Sequence, residues 1–220
     1  MPDQRLDYLR ILYVGTLDYE QALRVQELTH QAVTTSQAPP TIIVVQHHPV
    51  LTLGKHADHK FLKLALSAFK DLGVDVVQTD RGGEVTAHMP GQLVLYPIIR
   101  LATFKLTPRS WVEVLEQSVI EALAQFGISA ATDPINPGVW VKNQKICAIG
   151  IRIKDRTSVH GIALNVSNNL ELFDKIVPCG IPDRGVTSMA NCLEKVPTLA
   201  ETASVLLDIL SGMLLSRARV

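Results

Sequence analysis

Positions 81 to 92 of the chain read Arg81-Gly82-Gly83-Glu84-Val85-Thr86-Ala87-His88-Met89-Pro90-Gly91-Gln92. Apolar runs flank this segment on both sides, at 74–77 and 93–99. We therefore expect a loop between two strands, and the remaining elements are predicted outward from it.

The composition of this loop indicates contact with a ligand. Gly82 and Gly83 lack a Cβ, which allows a positive φ and a close approach of the main chain to a bound group. Arg81 and His88 add a fixed cation and a titratable ring, a combination suited to gripping an acyl or anionic group. The alternative interpretation is a structural turn whose arginine is solvated.

The chain has 220 residues with a formal net charge of zero, and 47% of them are hydrophobic. These values are typical of a soluble globular protein, and we predict one domain over residues 1–220. No basic excess indicates nucleic acid, and no apolar run approaches the roughly 20 residues that cross a bilayer, so neither nucleic acid nor a membrane is an expected partner. The polar residues 1–5 lack the order of a secretory signal, which predicts a cytoplasmic protein.

Helix signals recur along the chain. Asp18 is a predicted N-cap with Gln21 three residues later, and the apolar side of this first helix would hold Ala22, Val25, Leu28 and Ala32. The other predicted helices are 61–72, ended by Gly73; one from Thr107-Pro108 to Gly127; and one that begins at the capping box Thr198 to Glu201.

Strand signals alternate with these helices. The predicted strands are 9–14; the buried β-branched run 41–45; a hairpin of 138–142 and 145–153, with Asn143 able to adopt a left-handed conformation; and 159–166. A three-stranded meander together with blocks of helix favours an α+β fold with a mixed or largely antiparallel sheet and flanking helices.

Histidines and cysteines are the candidate metal ligands of this sequence. His47, His48, His56 and His59 cluster in the sequence, but no Asp, Glu or Cys stands beside them at ligand spacing, so we predict no metal. Cys147, Cys179 and Cys192 are too far apart for a CxxC pair and are expected to be free thiols.

Cys179 is the strongest candidate for nucleophilic chemistry because it lies between Pro178 and Gly180, outside any apolar strand. A thiol with a pKa of about 8.5 needs a depression of about 1.5 units, or about 2 kcal/mol, to be half ionised at pH 7. One cation about 4 Å away supplies roughly 4 kcal/mol at an effective dielectric near 20. The alternative is a structural loop cysteine.

Separated motifs together resemble the octanoyltransferases of lipoate biosynthesis, which move an octanoyl group from acyl carrier protein to a lysine of lipoyl domains. The motifs are Arg81-Gly82-Gly83-x-x-Thr86-x-His88-x-Pro90-Gly91-Gln92, Lys145-Ile146-x-x-Ile149-Gly150, His160-Gly161-x-Ala163-x-Asn165-Val166 and Pro178-Cys179-Gly180-Ile181 with Val186-Thr187-Ser188. His48-Pro49-Val50-x-Thr52-x-Gly54 also fits, so the likeness extends from about residue 48 to 188.

The resemblance implies a fold like that of biotin and lipoate protein ligases. It implies Cys179 as the acyl-thioester nucleophile and Lys145 as the cation that lowers its pKa. The residues implied to line the acyl pocket are Arg81, Gly82, Gly83, Glu84, Val85, Thr86, Ala87, His88, Ala148, Ile149, Gly150, Gly161, Ile162 and Ala163. No cofactor or nucleotide is implied. The donor would be octanoyl-acyl carrier protein, and the acceptors would be lipoyl domains of 2-oxoacid dehydrogenases and the glycine cleavage H protein.

Several residues have a second interpretation. Gly150 and Gly161 would also suit a bulge or close strand packing, and Lys145 would otherwise be solvated. Met89 stands where the family commonly has glycine, which puts the shape of that turn in question, and Cys147 is a second thiol that we expect to be a core side chain. A ligase that adenylates a free acid, and a non-catalytic binder of acyl carrier protein or lipoyl domains, remain as alternatives.

Overall fold

The computed structural model describes residues 9–177 and 184–218. Its strands are β1 (Arg10–Leu17), β2 (Thr41–His47), β3 (Val50–Leu53), β4 (Asp75–Gln78), β5 (Val85–His88), β6 (Gln92–Ile98), β7 (Ala131–Thr132), β8 (Val139–Val141), β9 (Gln144–Lys154), β10 (Thr157–Asn165) and β11 (Gly185–Val186). Its α-helices are α1 (Tyr19–Thr34), α2 (Leu66–Asp71), α3 (Pro108–Gln125), α4 (Met189–Cys192) and α5 (Leu199–Ala218).

Two sheets organise the described residues. The larger one has the strand order β1-β2-β6-β10-β9-β8-β7, with β11 pairing beside β9, and the smaller one has the order β4-β3-β5. β1 runs parallel to β2 and β11 runs parallel to β9, whereas β6, β10, β9 and β8 pair antiparallel. The predicted α+β fold with a mixed sheet is therefore confirmed, including the meander of β8, β9 and β10.

The main core lies between the larger sheet and the helices α3 and α5. Trp111 of α3 is buried and donates from Nε1 to Ser158 Oγ of β10 at 3.0 Å, which ties the helix to the sheet. Thr107 caps this helix by accepting from Ser110 N at 3.1 Å, and Gly127 follows its end with φ of +81°, both as the sequence predicts.

In the described part of the chain, α5 is the one helix long and apolar enough to cross a membrane by length and composition. The expectation that no apolar run approaches that length was wrong for this segment. Leu206, Leu210 and Leu214 of α5 are buried in the main core. A core helix needs the same apolar composition, so length and composition alone do not separate the two roles.

Helix α1 covers the other face of the sheet with a different stripe from the predicted one. Leu28 is 69% exposed, and the buried residues are Tyr19, Ala22, Gln26, Thr29, His30 and Val33. Gln26 and His30 are buried because they bond to the sheet: Gln26 Oε1 accepts from His160 N at 2.9 Å, and His30 Nε2 contacts Lys154 O at 3.0 Å. A stripe with polar members is invisible to a search for apolar periodicity.

Three predicted local structures differ in detail. The helix predicted at 61–72 contracts to α2 because Lys63 N donates to Lys175 O and Val177 N to Phe61 O, which draws the preceding residues into another pairing. The segment predicted as one loop at 81–92 contains β5, which pairs with β3. In the β8–β9 hairpin the left-handed residue is Lys142, with φ of +53°, in place of Asn143.

Candidate active site

A cavity of about 290 Å³ opens where the segment after β4 meets β5, β6 and the β9–β10 pair. Its apolar wall is made mostly by sheet residues, among them Val94, Ile149, Ile151 and Ile162. It also reaches Asn136 and Pro137, the segment before β8. An apolar pocket of this kind suits an extended alkyl chain.

Arg81 lines the cavity and is not solvated. It is buried, and its guanidinium donates to Thr52 Oγ1 from Nε at 3.0 Å and to the main-chain oxygens of Thr52, Gly82 and Glu84. The planar fork of donors therefore fastens the loop to β3. The solvated arginine considered from the sequence is therefore wrong, whereas contact of Arg81 with a ligand stays a prediction.

The glycines of this loop have distinct roles. Gly83 adopts φ of +85°, a conformation that favours glycine, whereas Gly82 donates from its N–H to Ile151 O of β9 at 3.1 Å. The loop is thus joined to β3 by Arg81 and to β9 by Gly82.

Strand β5 alternates its side chains between the pocket and the smaller core. Thr86 and His88 line the cavity, while Ala87 is fully buried among the apolar residues of the smaller sheet and does not line it; Val85 contributes to both. His88 Nδ1 contacts Gln92 Oε1 at 2.8 Å, and burial lowers the pKa of His88 well below its usual value. The ring at the pocket wall is accordingly neutral at pH 7.

The glycines of β9 and β10 make room for protein backbone. A Cβ at Gly161 would overlap Leu95 O and lie 2.7 Å from Pro97 Cδ. A Cβ at Gly150 would lie 3.0 Å from Gly82 O. Close packing, the alternative considered from the sequence, therefore accounts for both residues, although both also line the cavity together with Ala148, Ile149, Ile162 and Ala163.

Lys145 stands at the Pro137 end of the cavity and is only 6% exposed. Its Nζ donates to Pro137 O at 3.0 Å and lies 4.8 Å from the centroid of the Trp140 ring. Glu116 is close enough to interact with it, and Glu116 Oε1 accepts from Gly138 N at 2.9 Å. The solvated lysine considered from the sequence is therefore wrong, because this ammonium is held inside the protein.

The segment that carries Pro137 is itself anchored. Asp133 Oδ1 accepts from Asn136 N at 2.8 Å, and Asp133 forms an ion pair with Arg184. The Arg184 guanidinium lies 3.8 Å from the centroid of the Trp140 ring, on which Lys145 also rests. Trp140 thereby links the end of the cavity that holds Lys145 to the segment that begins at Arg184.

The cysteines separate into different environments. Cys147 is fully buried in the main core, and burial raises the pKa of its thiol to about 12, so the prediction that it is a core side chain is confirmed. Cys192 is exposed. Cys179, together with its neighbours Pro178, Gly180 and Ile181, lies outside the described residues.

A cluster of polar aromatic rings beneath the pocket was not found from the sequence. His47 Nε2 contacts Tyr96 OH at 2.7 Å, and Tyr19 stacks on His88 at 5.8 Å between ring centroids. Burial lowers the pKa of His47 to about 4 and raises that of Tyr19 to about 12, so the cluster is uncharged at pH 7. The sequence gives two weak signals for this cluster. Tyr19 follows the helix cap Asp18, and His47 ends a buried strand.

Histidines do not assemble a metal site in the part of the chain that the structure describes, where no group of three potential ligands occurs. His47 and His88 approach each other at 5.4 Å between ring centroids. Their nitrogens instead face Leu17 O, Tyr96 OH and Gln92 Oε1.

Met89 leaves the turn at 89–92 intact. Gln92 N donates to Met89 O at 3.2 Å, and Gly91 has φ of +88°, the pattern of a turn with proline and glycine at its central positions. Met89 is buried, and its Sδ accepts from Asn168 Nδ2 at 3.1 Å. The turn therefore needs glycine at Gly91, and Met89 at its first position adds packing.

The chain is similar in sequence and in fold to known proteins. Residues 18–211 match the family model of the lipoyl protein ligase A/B catalytic domain, so the chain belongs to that family. The solved structures that share its fold include a putative lipoate protein ligase of T. acidophilum with bound lipoic acid (14% identity, TM-score 0.73, 93% of this chain and 85% of that one). They also include a biotin protein ligase of Aquifex aeolicus (14% identity, TM-score 0.54, 93% and 68%). At these identities they show the fold alone.

Relatives of higher identity are more specific. An octanoyltransferase of Alkaliphilus metalliredigens is 42% identical over 187 residues, which cover 84% of this chain and 86% of that protein. The mitochondrial octanoyl-[acyl-carrier-protein]:protein N-octanoyltransferase LIPT2 of Danio rerio is 40% identical over 189 residues, covering 85% and 84%. Among the members of the family, this chain is therefore an octanoyltransferase, which makes it an acyltransferase.

Proposed function

We propose that the protein takes an octanoyl group from octanoyl-acyl carrier protein onto Cys179 as a thioester and passes it to a lysine of a lipoyl domain. The observation that carries the proposal is a buried ammonium, Lys145, at one end of an apolar pocket. Burying a cation is costly unless it has partners or a task, and the end of a pocket is where a reacting group would meet it. The LIPT2 relative is named for the same donor and a protein acceptor.

The pocket accounts for recognition of the acyl chain. Val94, Ile149, Ile151 and Ile162 present apolar surface, and the six or seven methylenes of an octanoyl chain are worth about 0.8 kcal/mol each when buried. Several kcal/mol of binding free energy would thus come from the chain alone. The loop joined by Arg81 to β3 and by Gly82 to β9 keeps this wall in place.

In the first step, the Cys179 thiolate attacks the carbonyl carbon of the donor thioester. The bond from carbon to the carrier sulfur breaks, and the carrier leaves as a thiolate that takes up a proton. Lys145 supplies the cation that favours the Cys179 thiolate; at about 4 Å it contributes roughly 4 kcal/mol, compared with the roughly 2 kcal/mol needed at pH 7.

In the second step, the neutral amine of the acceptor lysine attacks the enzyme thioester. An amide bond forms, the carbon–sulfur bond to Cys179 breaks, and the amine proton returns to solvent. A thioester is exchanged for a thioester and then for an amide, so no nucleotide is required. We propose as acceptors the lipoyl domains of 2-oxoacid dehydrogenases and the glycine cleavage H protein.

The experiment that tests this function is transfer of octanoyl from its carrier protein to a purified lipoyl domain without ATP, followed by mass spectrometry of the acceptor. Transfer is expected in the wild type and is expected to be lost in Cys179→Ser at neutral pH. If transfer requires ATP and free octanoate and is unchanged in Cys179→Ser, the protein catalyses a ligase reaction instead.

The role of Lys145 has its own measurement. In Lys145→Met the charge is removed while an unbranched side chain is kept, so the pKa of Cys179 should rise. The alkylation rate of Cys179 against pH reports this pKa, in a Cys192→Ser background that removes the exposed thiol. An unchanged midpoint would show that the two residues are not partners.

A further inference from the structure

A second cavity, of about 500 Å³, lies on the other side of the acyl pocket from Lys145. It is formed by α1, the segment after β4 and the start of β10, and its lining residues are Leu23, Gln26, Glu27, His30, Gln78, Thr79, Asp80, Lys154, Val159 and His160. Among the described residues, His160 is the one side chain that lines both cavities. The two spaces therefore meet at this residue.

His160 is held firmly in place. It is 3% exposed and adopts φ of +58°, a conformation that non-glycine residues rarely take. Its N–H donates to Gln26 Oε1 at 2.9 Å, and its Nε2 contacts Asp80 Oδ1 at 2.8 Å, while Asp80 also pairs with Arg152. Two elements from outside β10, α1 and the segment after β4, thus fix the ring between the cavities.

The junction around His160 is not a filled core. Within the described residues, Gln26 Nε2 and His160 Nδ1 are buried without a hydrogen-bond partner. Buried polar atoms are rarely left without a hydrogen-bond partner in well-packed interiors. Both atoms belong to residues at the boundary of the two cavities, since Gln26 lines the second cavity and His160 lines both.

His160 also stands at the correct end of the acyl pocket to limit a chain. Lys145 lies near the beginning of β9, and Ile151, which pairs with His160, lies near its end. A chain attached beside Lys145 would run past Ala148 and Gly150, and its methyl end would point toward His160.

We propose that His160 is the end wall of the acyl pocket and sets the longest acyl chain that the enzyme transfers. This proposal rests on the proposed octanoyl transfer. When the imidazole is removed, the acyl pocket continues into the second cavity, where Leu23 and Val159 offer apolar surface to additional methylenes. His160 is then a specificity-determining residue that contacts the terminal part of the acyl chain.

The test compares octanoyl-, decanoyl- and dodecanoyl-acyl carrier protein as donors, with kcat/KM measured for the wild type and His160→Gly. Glycine fits the positive φ of this position, so the variant is suited to fold. Each additional buried methylene is worth about a fourfold gain in binding, so burial of two of the four additional methylenes of dodecanoyl should already raise the dodecanoyl-to-octanoyl ratio by about tenfold or more. Should His160→Gly not fold, His160→Asn, which tolerates this φ, gives the same comparison with a smaller opening.

A second substitution links the gain to the second cavity. Leu23→Trp added to His160→Gly fills that cavity and should abolish the gain, whereas Leu28→Trp, at an exposed position of the same helix, should leave it intact. An unchanged chain-length ratio in the folded variant, or a gain that survives Leu23→Trp, would overturn the proposal. Failure of the wild type to transfer octanoyl would instead reject the proposed function, so the two outcomes are distinguishable.

Discussion

The substitution Arg81→Lys distinguishes a structural role of this cation from a role in binding the substrate. The guanidinium donates to three main-chain oxygens and to Thr52 Oγ1, and an ammonium on a lysine stem cannot reach all of these acceptors at once. Hydrogen bonds to charged groups contribute about 1.5–3 kcal/mol each. Losing two of them should lower the free energy of unfolding by roughly 4 kcal/mol.

This loss is a large part of a stability that for most domains is about 5–15 kcal/mol. Urea unfolding followed by circular dichroism measures it, and octanoyl transfer measured on the folded fraction should fall as well because the loop forms the pocket wall. Arg109→Lys is the matched control, since that side chain is 91% exposed and should change stability by less than about 0.5 kcal/mol.

The result that would refute the reasoning is specific. If Arg81 gripped an anionic group of the substrate, Arg81→Lys would raise KM while leaving the free energy of unfolding near that of the wild type. Wild-type stability in this variant would mean that the guanidinium contacts do not hold the loop.

Three further changes test the core and the buried histidines. Gly161→Ala should cost several kcal/mol in urea unfolding because the added Cβ overlaps β6, whereas Gly212→Ala, with nothing within 4 Å, should be neutral or stabilising; equal effects would contradict the packing. Cys147→Ala should keep acyl transfer and lose about 1 kcal/mol of stability, and a loss of the acyl adduct in the folded variant would contradict its core role. Burial lowers the pKa of His47 and of His160 from 6.5 to about 4, so the unfolded chain binds these protons first. The free energy of unfolding should therefore be highest above pH 6.5 and fall toward pH 4, by about 3 kcal/mol for His47. His47→Gln should weaken this pH dependence. A free energy of unfolding that does not change over this pH range would contradict the burial of neutral histidines.

The fold was predictable from the sequence where one local rule decided the structure. Thr107 and Gly127 bound α3 because capping and left-handed chain ends have strong residue preferences. The antiparallel hairpin of β8 and β9 followed from two apolar runs separated by a short polar turn.

Tertiary contacts decided the rest. The buried stripe of α1 includes Gln26 and His30, whose partners are on strands more than 100 residues later, so no local period reveals it. The backbone acceptors of Arg81 lie on β3 and in its own loop, so its part in fastening the loop cannot be foreseen from the order of residues.

The candidate site was predictable in the same uneven way. Residues near Lys145 and the glycine-containing strands came from motif resemblance, and the structure brings most of them to one cavity while turning Ala87 away. The ring cluster of Tyr19, His47 and Tyr96 comes from separate elements and carries no shared spacing.

The measurement that tests the central claim most directly is the intact mass of the protein after it is mixed with octanoyl-acyl carrier protein and no acceptor, followed by peptide mapping. The account predicts one octanoyl group on Cys179, formed without ATP, released when a lipoyl domain is added, and absent in Cys179→Ser at neutral pH. Acylation mapped to Cys147, or transfer to the lipoyl domain with no enzyme-bound octanoyl group at any time, would contradict it.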